Sequence, residues 1–337
     1  MAKTKMKAVV AAGKGGTEVL EVAEVPLDWP RGPHDVLVRL KAAGLNPFDV
    51  HLRRSGPLIK DDQPIILGSD GAGIVEAVGD KVRGILQGEE VAFCYGGIGG
   101  DPGTYAEFAV VPAHSLARKP ENVSFAEAAA APLVTITCWE ALYQRAQLAS
   151  DEHCLIHGGA GGTGHVAIQL AKLRGARVAA TVGDDDKAAF VKDLGADHTF
   201  NYRREDVAAA ALVWTDGRGI DVALDNVGGD VMHATFHAMA PFGRVVGLTG
   251  LTSDNDSSDA FNRNITVHNV MMLMAMWIGD TAHAAQQGGI VNQAMGLMAD
   301  GKLRLHVAET FPLVEAAAAQ QRLEQGGMTG KMVLLMD

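Results

Sequence analysis

Cysteine is scarce in this sequence of 337 residues. There are only three, Cys94, Cys138 and Cys154, and they are widely separated. So few cysteines cannot build a disulfide framework, and without a CxxC pair they do not predict a cysteine-built zinc site. This usage is typical of a reducing compartment, so we expect a cytoplasmic protein.

Long apolar runs and an excess of positive charge are also missing. The longest apolar candidate, Val270 to Ile278, predicts a buried strand and is too short to span a membrane. The apolar run near the N-terminus breaks at residues 13–16 and is too short for a signal peptide. The 29 Lys and Arg residues are outnumbered by 40 Asp and Glu, which gives a net charge of −11. We therefore expect neither a nucleic acid nor a membrane as partner.

The first 125 residues contain short apolar or alternating segments separated by Gly and Pro. These segments lie at residues 7–10, 35–40, 73–79 and 89–93. Their length and spacing predict a mostly antiparallel β domain. The length of the whole chain predicts about two domains.

From Ser124 onward, strands alternate with helices. Residues 124–127 form a capping box that begins a helix. The predicted strands are 154–157, 177–182, 220–226, 243–248 and 269–274, and the predicted helices between them are 165–174, 187–194 and 231–239. This alternation predicts a parallel sheet covered by helices on both faces. Two further helices, 281–300 and 314–325, precede a last strand, 331–335, which we expect to return to the first domain.

A glycine-rich loop lies between the first strand and the first helix of that alternating region. Its glycines follow the spacing G-x-G-x-x-G, which allows main-chain N–H groups to approach a pyrophosphate at a helix N-terminus. A purely structural turn is the alternative, but the strand before it and the helix after it favour a dinucleotide site. The predicted phosphate-binding residues are Gly159, Ala160, Gly161, Gly162, Thr163 and Gly164.

The choice of dinucleotide stays open at this level. Asp184 follows Gly164 by 20 residues, a spacing at which an acid binds the adenosine ribose of NAD. Asp184 to Asp186 could instead begin the next helix, because acids favour a helix N-terminus. Lys187 could meet the 2′-phosphate of NADP.

Five segments, in order, resemble medium-chain dehydrogenases/reductases of the quinone oxidoreductase (ζ-crystallin-like) group. They are A-G-L-N-P-F-D at 43–49, L-G-S-D-G-A-G-I-V at 67–75, the glycine loop at 159–164, D-N-V-G-G at 225–229 and T-G-K at 329–331. The resemblance covers nearly the whole chain. It implies an α/β protein with a GroES-like β-rich catalytic domain, 1–125 and 277–337, and a Rossmann doubly wound parallel-sheet domain, 126–276. The active site is then expected in the cleft between them.

The resemblance also implies a chemistry. Asn46, Ser69 and Leu133 stand where zinc-dependent members carry their three catalytic ligands, and the four-cysteine zinc lobe is missing, so we expect no zinc. Without a metal, hydride addition to a conjugated system is easier than reduction of a simple ketone. The zinc-free branch implies NADPH-dependent reduction of a quinone or α,β-unsaturated carbonyl. Two alternatives are an enoyl-thioester reductase, for which Arg53 and Arg54 are the only nearby basic pair, and a non-catalytic, crystallin-like NADPH-binding protein.

Three residues match family positions at the reacting centre. Asn46 is expected to donate a hydrogen bond to the substrate oxygen, the alternative being an Asx turn with Pro47. His51 could supply a proton near neutral pH, or could be an exposed helix histidine. Thr137 is expected to pack on the nicotinamide.

Further matches concern the cofactor. Lys187 and Tyr202 match residues near the adenosine 2′-phosphate, and Val182 rather than Asp184 falls on the position that selects NAD. NADPH is therefore favoured over NADH. The remaining predicted cofactor-binding residues are Asn226, Leu248, Thr249 and Lys331. The resemblance also implies a homodimer, formed through the last strand of the Rossmann sheet.

Overall fold

The computed structural model describes residues 4–59, 64–250 and 258–336. The strands are β1 Lys5–Ala11, β2 Leu20–Pro26, β3 Asp35–Gly44, β4 Ile65–Ile66, β5 Asp70–Val78, β6 Glu90–Cys94, β7 Phe108–Pro112, β8 Leu116–Arg118, β9 His153–Ile156, β10 Arg177–Val182, β11 His198–Asn201, β12 Ile220–Asp225, β13 Met239–Gly247, β14 Thr266–Asn269, β15 Val307–Pro312 and β16 Lys331–Leu335.

The helices are α1 Pro47–Ser55, α2 Phe125–Ala130, α3 Pro132–Trp139, α4 Gly164–Leu173, α5 Asp185–Asp193, α6 Val207–Trp214, α7 Asp230–Ala238, α8 Ser258–Asn262, α9 Met274–Ile278, α10 Thr281–Ala299 and α11 Ala316–Gln325. A π-helical segment, Glu140–Arg145, continues α3. None of the helices in the described ranges is long and apolar enough to cross a membrane.

The chain divides into two compact units. The first unit comprises Met1–Leu133 with Leu273–Asp337, and the second comprises Val134–Met272. The sequence prediction placed the two divisions after residues 125 and 276.

The first unit contains two β-sheets. The larger has the strand order β15-β16-β3-β5-β6-β8, with β7 also paired to β3, and the smaller has the order β2-β1-β4. The C-terminal strand β16 runs antiparallel to β3, with Val333 opposite Gly44. The prediction that the last strand returns to the first domain is confirmed.

Close strand packing explains one glycine of the first unit. A Cβ atom at Gly73 in β5 would lie 2.2 Å from the carbonyl oxygen of Arg39 in β3. No side chain fits at that distance, so glycine allows the two backbones to approach each other. The same pairing brings Asp70, at the start of β5, opposite Gly44 at the end of β3.

The second unit is a six-stranded sheet in the order β11-β10-β9-β12-β13-β14. All of its strand pairs are parallel, as predicted. The chain runs outward from β9 to β11 and then returns to β12 on the other side of β9. In such sheets ligands bind outside the carboxyl ends of the strands at the point where the order reverses, here between β9 and β12.

The prediction of a buried strand over Val270 to Ile278 is wrong. The last strand of the sheet, β14, ends at Asn269, and Met274–Ile278 forms the short helix α9. An apolar run of this length does not distinguish strand from helix by periodicity. Met and Ala, which begin α9, have good helix propensity.

Candidate active site and cofactor site

The phosphate loop, defined here as residues 158–164, connects β9 to α4. A Cβ at Gly164 would lie 2.2 Å from the carbonyl oxygen of Gly158, and a Cβ at Gly159 would lie 2.6 Å from the Cβ of Ala180. Glycine at these two positions therefore permits the tight turn and the close packing of α4 against the sheet.

Main-chain N–H groups of the loop fall into two sets. Those of Gly158 and Gly159 donate to Oγ1 and to the carbonyl oxygen of Thr181, at 2.9 and 3.0 Å, and shape the loop. Within the described residues, the N–H groups of Ala160, Gly162 and Thr163 have no protein acceptor. These unpaired donors lie at the positive end of α4, an arrangement that fits a diphosphate.

Helix α3 is tied to the phosphate loop. The Cys138 thiol donates to the carbonyl oxygen of Thr163 at 3.3 Å, and burial raises the pKa of Cys138 well above its usual value. The thiol therefore stays neutral, as expected of a core cysteine. Thr137, one residue earlier, is buried as well.

Three of the predicted cofactor residues lie at the carboxyl ends of β12 and β13. Asn226 donates from Nδ2 to the carbonyl oxygen of His157 at 2.7 Å, while its Oδ1 is buried and has no partner in the described structure. The N–H of Leu248 donates to the carbonyl oxygen of Asp225. Thr249 follows Leu248 and is exposed. The unpaired Oδ1 suits a hydroxyl donor such as that of a ribose.

A cavity of about 520 Å³ opens at the carboxyl ends of β9, β10 and β12. Its mostly apolar lining includes His157, Thr181, Tyr202, Val227 and Val231. Its volume falls in the range of small-molecule sites.

His157 is a neutral side chain in the wall of this cavity. Burial lowers the pKa of His157 to about 4. Thr235 Oγ1 donates to the carbonyl oxygen of Val231 at 2.7 Å, so it accepts a hydrogen bond from His157 Nε2 at 2.8 Å. The ring is fixed with its proton on Nε2.

Asp184 is the N-cap of α5, which resolves one of the alternatives left by the sequence. Its side chain accepts from the N–H of Lys187 at 2.9 Å, and this bond lowers the pKa of Asp184. The amino group of Lys187 lies 3.4 Å from Asp184 Oδ2. Asp184 is therefore engaged with the helix and with Lys187.

Tyr202 and Arg203 lie over the end of β10. A Cβ at Gly183 would lie 2.6 Å from Tyr202 Oη and 3.5 Å from Arg203 Cζ. Arg203 was not among the predicted residues, although it directly follows Tyr202 in the sequence. Arg204 pairs instead with Asp185, at 2.9 Å.

In the first unit, Asn46 is the N-cap of α1 and is 1% exposed. Its main-chain N–H donates to Asp49 Oδ2 at 2.9 Å, and the N–H of Asp49 donates back to the carbonyl oxygen of Asn46. Its Nδ2 donates to Asp70 Oδ2 at 2.9 Å, and its Oδ1 accepts from Lys331 Nζ. Asn46 is thus a helix N-cap whose carboxamide is bound through its oxygen and through one N–H.

Lys331 was predicted as a cofactor contact, and the structure gives its amino group other partners. The amino group donates to the carbonyl oxygen of Leu45 at 2.8 Å and to Asn46 Oδ1, and lies 3.8 Å from Asp70 Oδ2. Burial lowers the pKa of Lys331 and raises the pKa of Asp70, each opposed by the charge of the other. Contact with the cofactor remains a prediction.

Asp49 and Tyr105 complete this group, which we call the Asn46 cluster: Asn46, Asp49, Asp70, Tyr105 and Lys331. Tyr105 Oη donates to Asp49 Oδ2 at 3.0 Å. Burial raises the pKa of Asp49 to about 7. One ammonium and two carboxyl groups therefore share a buried site. Sequence reasoning missed Asp49, Asp70 and Tyr105 as site residues, although the two acids lie inside motifs that it used.

His51 is exposed on α1. Its ring centroid is 5.6 Å from that of Phe48. Arg53 and Arg54 are committed elsewhere. The buried Arg53 donates to Gln320 at 2.7 Å and to Glu324 at 2.6 Å, and Arg54 also pairs with Glu324.

The positions that match zinc ligands carry an amide, a hydroxyl and an alkyl group. Ser69 Oγ donates to the carbonyl oxygen of Gly96 at 2.8 Å, and Leu133 has an alkyl side chain, while its main-chain N–H donates to Asp70 Oδ1. Residues 4–59, 64–250 and 258–336 contain no cluster of three His, Cys, Asp or Glu side chains able to hold a metal. With Asn46 as the third member, this donor set does not fit catalytic zinc, which takes Cys, His and carboxylate ligands.

Comparisons with known proteins agree with this architecture. Residues 32–121 match the alcohol dehydrogenase GroES-like domain, and residues 194–334 match the family described as zinc-binding dehydrogenase. A quinone oxidoreductase of Pseudomonas aeruginosa is 33% identical over 98% of this chain and 99% of that protein. A 2-haloacrylate reductase of a Burkholderia species is 30% identical over 97% of this chain and 98% of that protein.

A solved structure has the same fold. The crystal structure of Escherichia coli quinone oxidoreductase complexed with NADPH matches with a TM-score of 0.86 at 28% identity, covering 98% of this chain and 99% of that chain. A GroES-like unit joined to a Rossmann-like unit defines an oxidoreductase of the dehydrogenase type. The chain belongs to the medium-chain dehydrogenase/reductase superfamily and, within it, to the quinone oxidoreductase group.

Proposed function

We propose that this enzyme reduces a quinone or an α,β-unsaturated carbonyl compound with NADPH and without zinc. The observation that carries the proposal is the buried Asn46 carboxamide, held between Lys331 and Asp70 at a position where zinc-dependent members carry a metal ligand. A hydrogen-bond donor thus replaces a Lewis acid. Such a donor suffices for a substrate that spreads its own developing charge onto an oxygen.

The phosphate loop and the cavity beside it fit a dinucleotide. When bound, NADPH would supply the hydride. Asn46 Nδ2 would donate to the substrate oxygen on which negative charge develops as the conjugated double bond accepts the hydride at its far carbon. His51 would deliver the proton that completes the reduction. Thr137 would pack against the nicotinamide.

Charge at the end of β10 supports NADPH over NADH. Tyr202 and Arg203 lie over Gly183, the first residue after β10, and the amino group of Lys187 lies 3.4 Å from Oδ2 of the next residue, Asp184. Asp184, the acid that could bind the ribose of NAD, is engaged as the cap of α5. Two cations and a phenol beside a strand end form a binding set for a 2′-phosphate.

Relatives support the substrate class. Two kinds of relative described above carry the names quinone oxidoreductase and 2-haloacrylate reductase. A haloacrylate and a quinone share a carbon–carbon double bond conjugated to a carbonyl group. That shared chemistry is what we assign to this enzyme.

We further propose that the enzyme is a cytoplasmic homodimer. Strand β14 is the outer strand of its sheet and pairs only with β13 among the described strands. Phe242, in the neighbouring strand β13, and Phe261, in the helix α8 that precedes β14, are 73% and 83% exposed. Two copies pairing through β14 would cover both. Light scattering coupled to size exclusion tests this, and a monomer would contradict it.

An enoyl-thioester reductase finds less support. That reading needs a basic groove for the phosphates of coenzyme A or of a carrier protein. Arg53 is buried against Gln320 and Glu324, and Arg54 pairs with Glu324, so neither presents an unpaired charge.

The decisive experiment has two stages. Nicotinamide fluorescence titrations first compare NADPH with NADH, and the better cofactor is then assayed with quinones, enones, enals and an enoyl thioester. We expect tighter binding of NADPH, turnover of a conjugated carbonyl or quinone, and full activity after dialysis against a zinc chelator. Tight binding without turnover of any compound would instead indicate the crystallin-like role.

A further inference from the structure

The Asn46 carboxamide lies between two opposite charges. Its Nδ2 donates to the carboxylate of Asp70 at 2.9 Å, and its Oδ1 accepts from the ammonium of Lys331. Rotation of the amide by 180° would place its N–H groups against the ammonium and its oxygen against the carboxylate. Electrostatics therefore fixes one orientation.

Both charged residues are themselves immobilised. Lys331 is 3% exposed and also donates to the carbonyl oxygen of Leu45 at 2.8 Å. Asp70 is fully buried, and its other carboxylate oxygen accepts from the N–H of Leu133 at 2.7 Å. Neither group can turn away from Asn46 without leaving a buried partner unsatisfied.

One of the two N–H groups of the Asn46 carboxamide has no acceptor among the described residues. A carboxamide nitrogen carries two hydrogens. Asp70 accepts one of them, and no described residue accepts the other. A cation bound to the amide oxygen also draws electron density from the nitrogen, which strengthens the remaining N–H as a donor.

We propose that Lys331 and Asp70 are positioning residues, which hold the Asn46 carboxamide with one N–H directed at the substrate oxygen while the Lys331 ammonium polarises it. This inference rests on the proposed function and gives Lys331 a role through Asn46 rather than on the cofactor. The groups that face Lys331 are the carboxyls of Asp70 and Asp49 and the thiol of Cys94.

The first test separates catalysis from cofactor binding. In Lys331→Met we expect kcat for the best enone or quinone to fall by about 10- to 100-fold, as when a polarised oxyanion donor is weakened. The Kd for NADPH and the KM for the substrate should each change by less than about threefold. The matched control is Lys302→Met, at an exposed lysine paired with Asp300, which should leave all three constants unchanged.

The second test asks whether Lys331 acts through Asn46. In an Asn46→Ala background, Lys331→Met should lower kcat by less than about threefold, because residues that act as a unit are not additive. If the loss of kcat in the double variant equalled the product of the losses in the two single variants, the proposal would be overturned. A large increase in the Kd of Lys331→Met for NADPH would also overturn it. If Lys331→Met alone unfolds, Lys331→Met/Asp70→Asn replaces it in this comparison, because removing both charges together leaves neither buried without its partner.

A third measurement does not depend on turnover. The side-chain amide hydrogens of Asn46, identified by their absence in Asn46→Ala, should exchange slowly with solvent in the wild-type protein. In Lys331→Met they should exchange at least about 10-fold faster, because the amide loses its fixed orientation. If the wild type reduces no compound of the panel, the proposed function fails, and this exchange experiment alone decides the positioning role. Unchanged exchange rates would overturn it.

Discussion

The phosphate loop of the second unit presents main-chain N–H groups, whereas the Asn46 cluster of the first unit consists of side chains. The loop lies within seven consecutive residues, 158–164, and its shape depends on glycines that cannot carry a Cβ. The cluster joins residues from α1, β5 and β16 with Tyr105, so its members come from opposite ends of the chain. The molecule therefore presents partial charges of the main chain at one candidate site and full charges of side chains at the other.

The phosphate loop and the Asn46 cluster would stabilise charge by different means. A backbone site meets a bound anion with partial charges that never titrate, so it should be sensitive to the shape of the loop and insensitive to its side chains. A buried side-chain site holds full charges whose balance depends on pH. Each prediction below tests one side of this contrast, from the largest expected effect to the smallest.

Gly164→Ala should have the largest effect. The added Cβ would lie 2.2 Å from the carbonyl oxygen of Gly158, which belongs to the backbone and cannot move without opening the loop. Several charge-assisted hydrogen bonds would be lost, at about 1.5–3 kcal/mol each, so the Kd for NADPH should rise by at least about 100-fold. Fluorescence titration measures this. The control is Gly289→Ala in α10, where nothing lies within 4 Å of the new Cβ.

Asn46→Ala should have the second-largest effect, and this effect should be on kcat rather than on the Kd for NADPH. Loss of the donor to the developing oxyanion should lower kcat by about 100-fold. The variant should retain its Kd for NADPH. Asn122→Ala serves as the control, because Asn122 is an exposed asparagine that donates to the carbonyl oxygen of Ala299. Equal losses of kcat in both variants would contradict a specific role for Asn46.

The pH dependence of stability should distinguish the cluster from the loop. The folded-state pKa of Asp49 is raised to about 7 by burial, against about 3.9 in the unfolded chain. The unfolded state therefore loses this proton first as pH rises, and the contribution of Asp49 to stability falls between about pH 4 and pH 7. Asp70, Lys331 and Tyr105 face this carboxyl and set the exact midpoint.

Asp49→Asn should remove that part of the slope. Between pH 5 and pH 7 we expect the wild type to lose about 2 kcal/mol of unfolding free energy more than the variant does. Urea unfolding at several pH values measures both. Parallel curves for the two proteins would show that Asp49 is ionised throughout this range. Asp193→Asn, on a helix of the second unit, is the surface control.

Sequence reasoning located the loop between a strand and a helix, whereas it named only Asn46 and Lys331 of the cluster and none of the contacts between its members, for a physical reason. The loop is local, so the spacing of Gly159, Gly161 and Gly164 between a strand and a helix contains its geometry. In the cluster, Lys331 reaches Asn46 only because β16 pairs with β3, and no local pattern encodes that pairing partner. Asp49 and Tyr105 are 56 positions apart and meet through tertiary packing alone.

A smaller effect is expected where charged side chains supplement the backbone site. Lys187→Ala/Arg203→Ala should weaken NADPH binding by about 10-fold, since it removes two partly exposed charges near a 2′-phosphate. The Kd for NADH should change by less than about twofold. Titrating both cofactors against both proteins checks this. An equal loss of affinity for NADH would show that these residues do not bind the 2′-phosphate.

Thr163→Ala should have the smallest effect and is the strictest test of the backbone argument. Thr163 is the N-cap of α4, yet its side chain makes no capping hydrogen bond there. Its main-chain groups remain in the variant: the carbonyl oxygen still accepts from Cys138, and the N–H, which has no protein acceptor among the described residues, is unchanged. The Kd for NADPH should therefore change by less than about threefold, a small fraction of the effect of Gly164→Ala in the same loop. A loss comparable to that of Gly164→Ala would mean that the hydroxyl itself binds the phosphate, and the contrast between a main-chain site and a side-chain site would no longer hold.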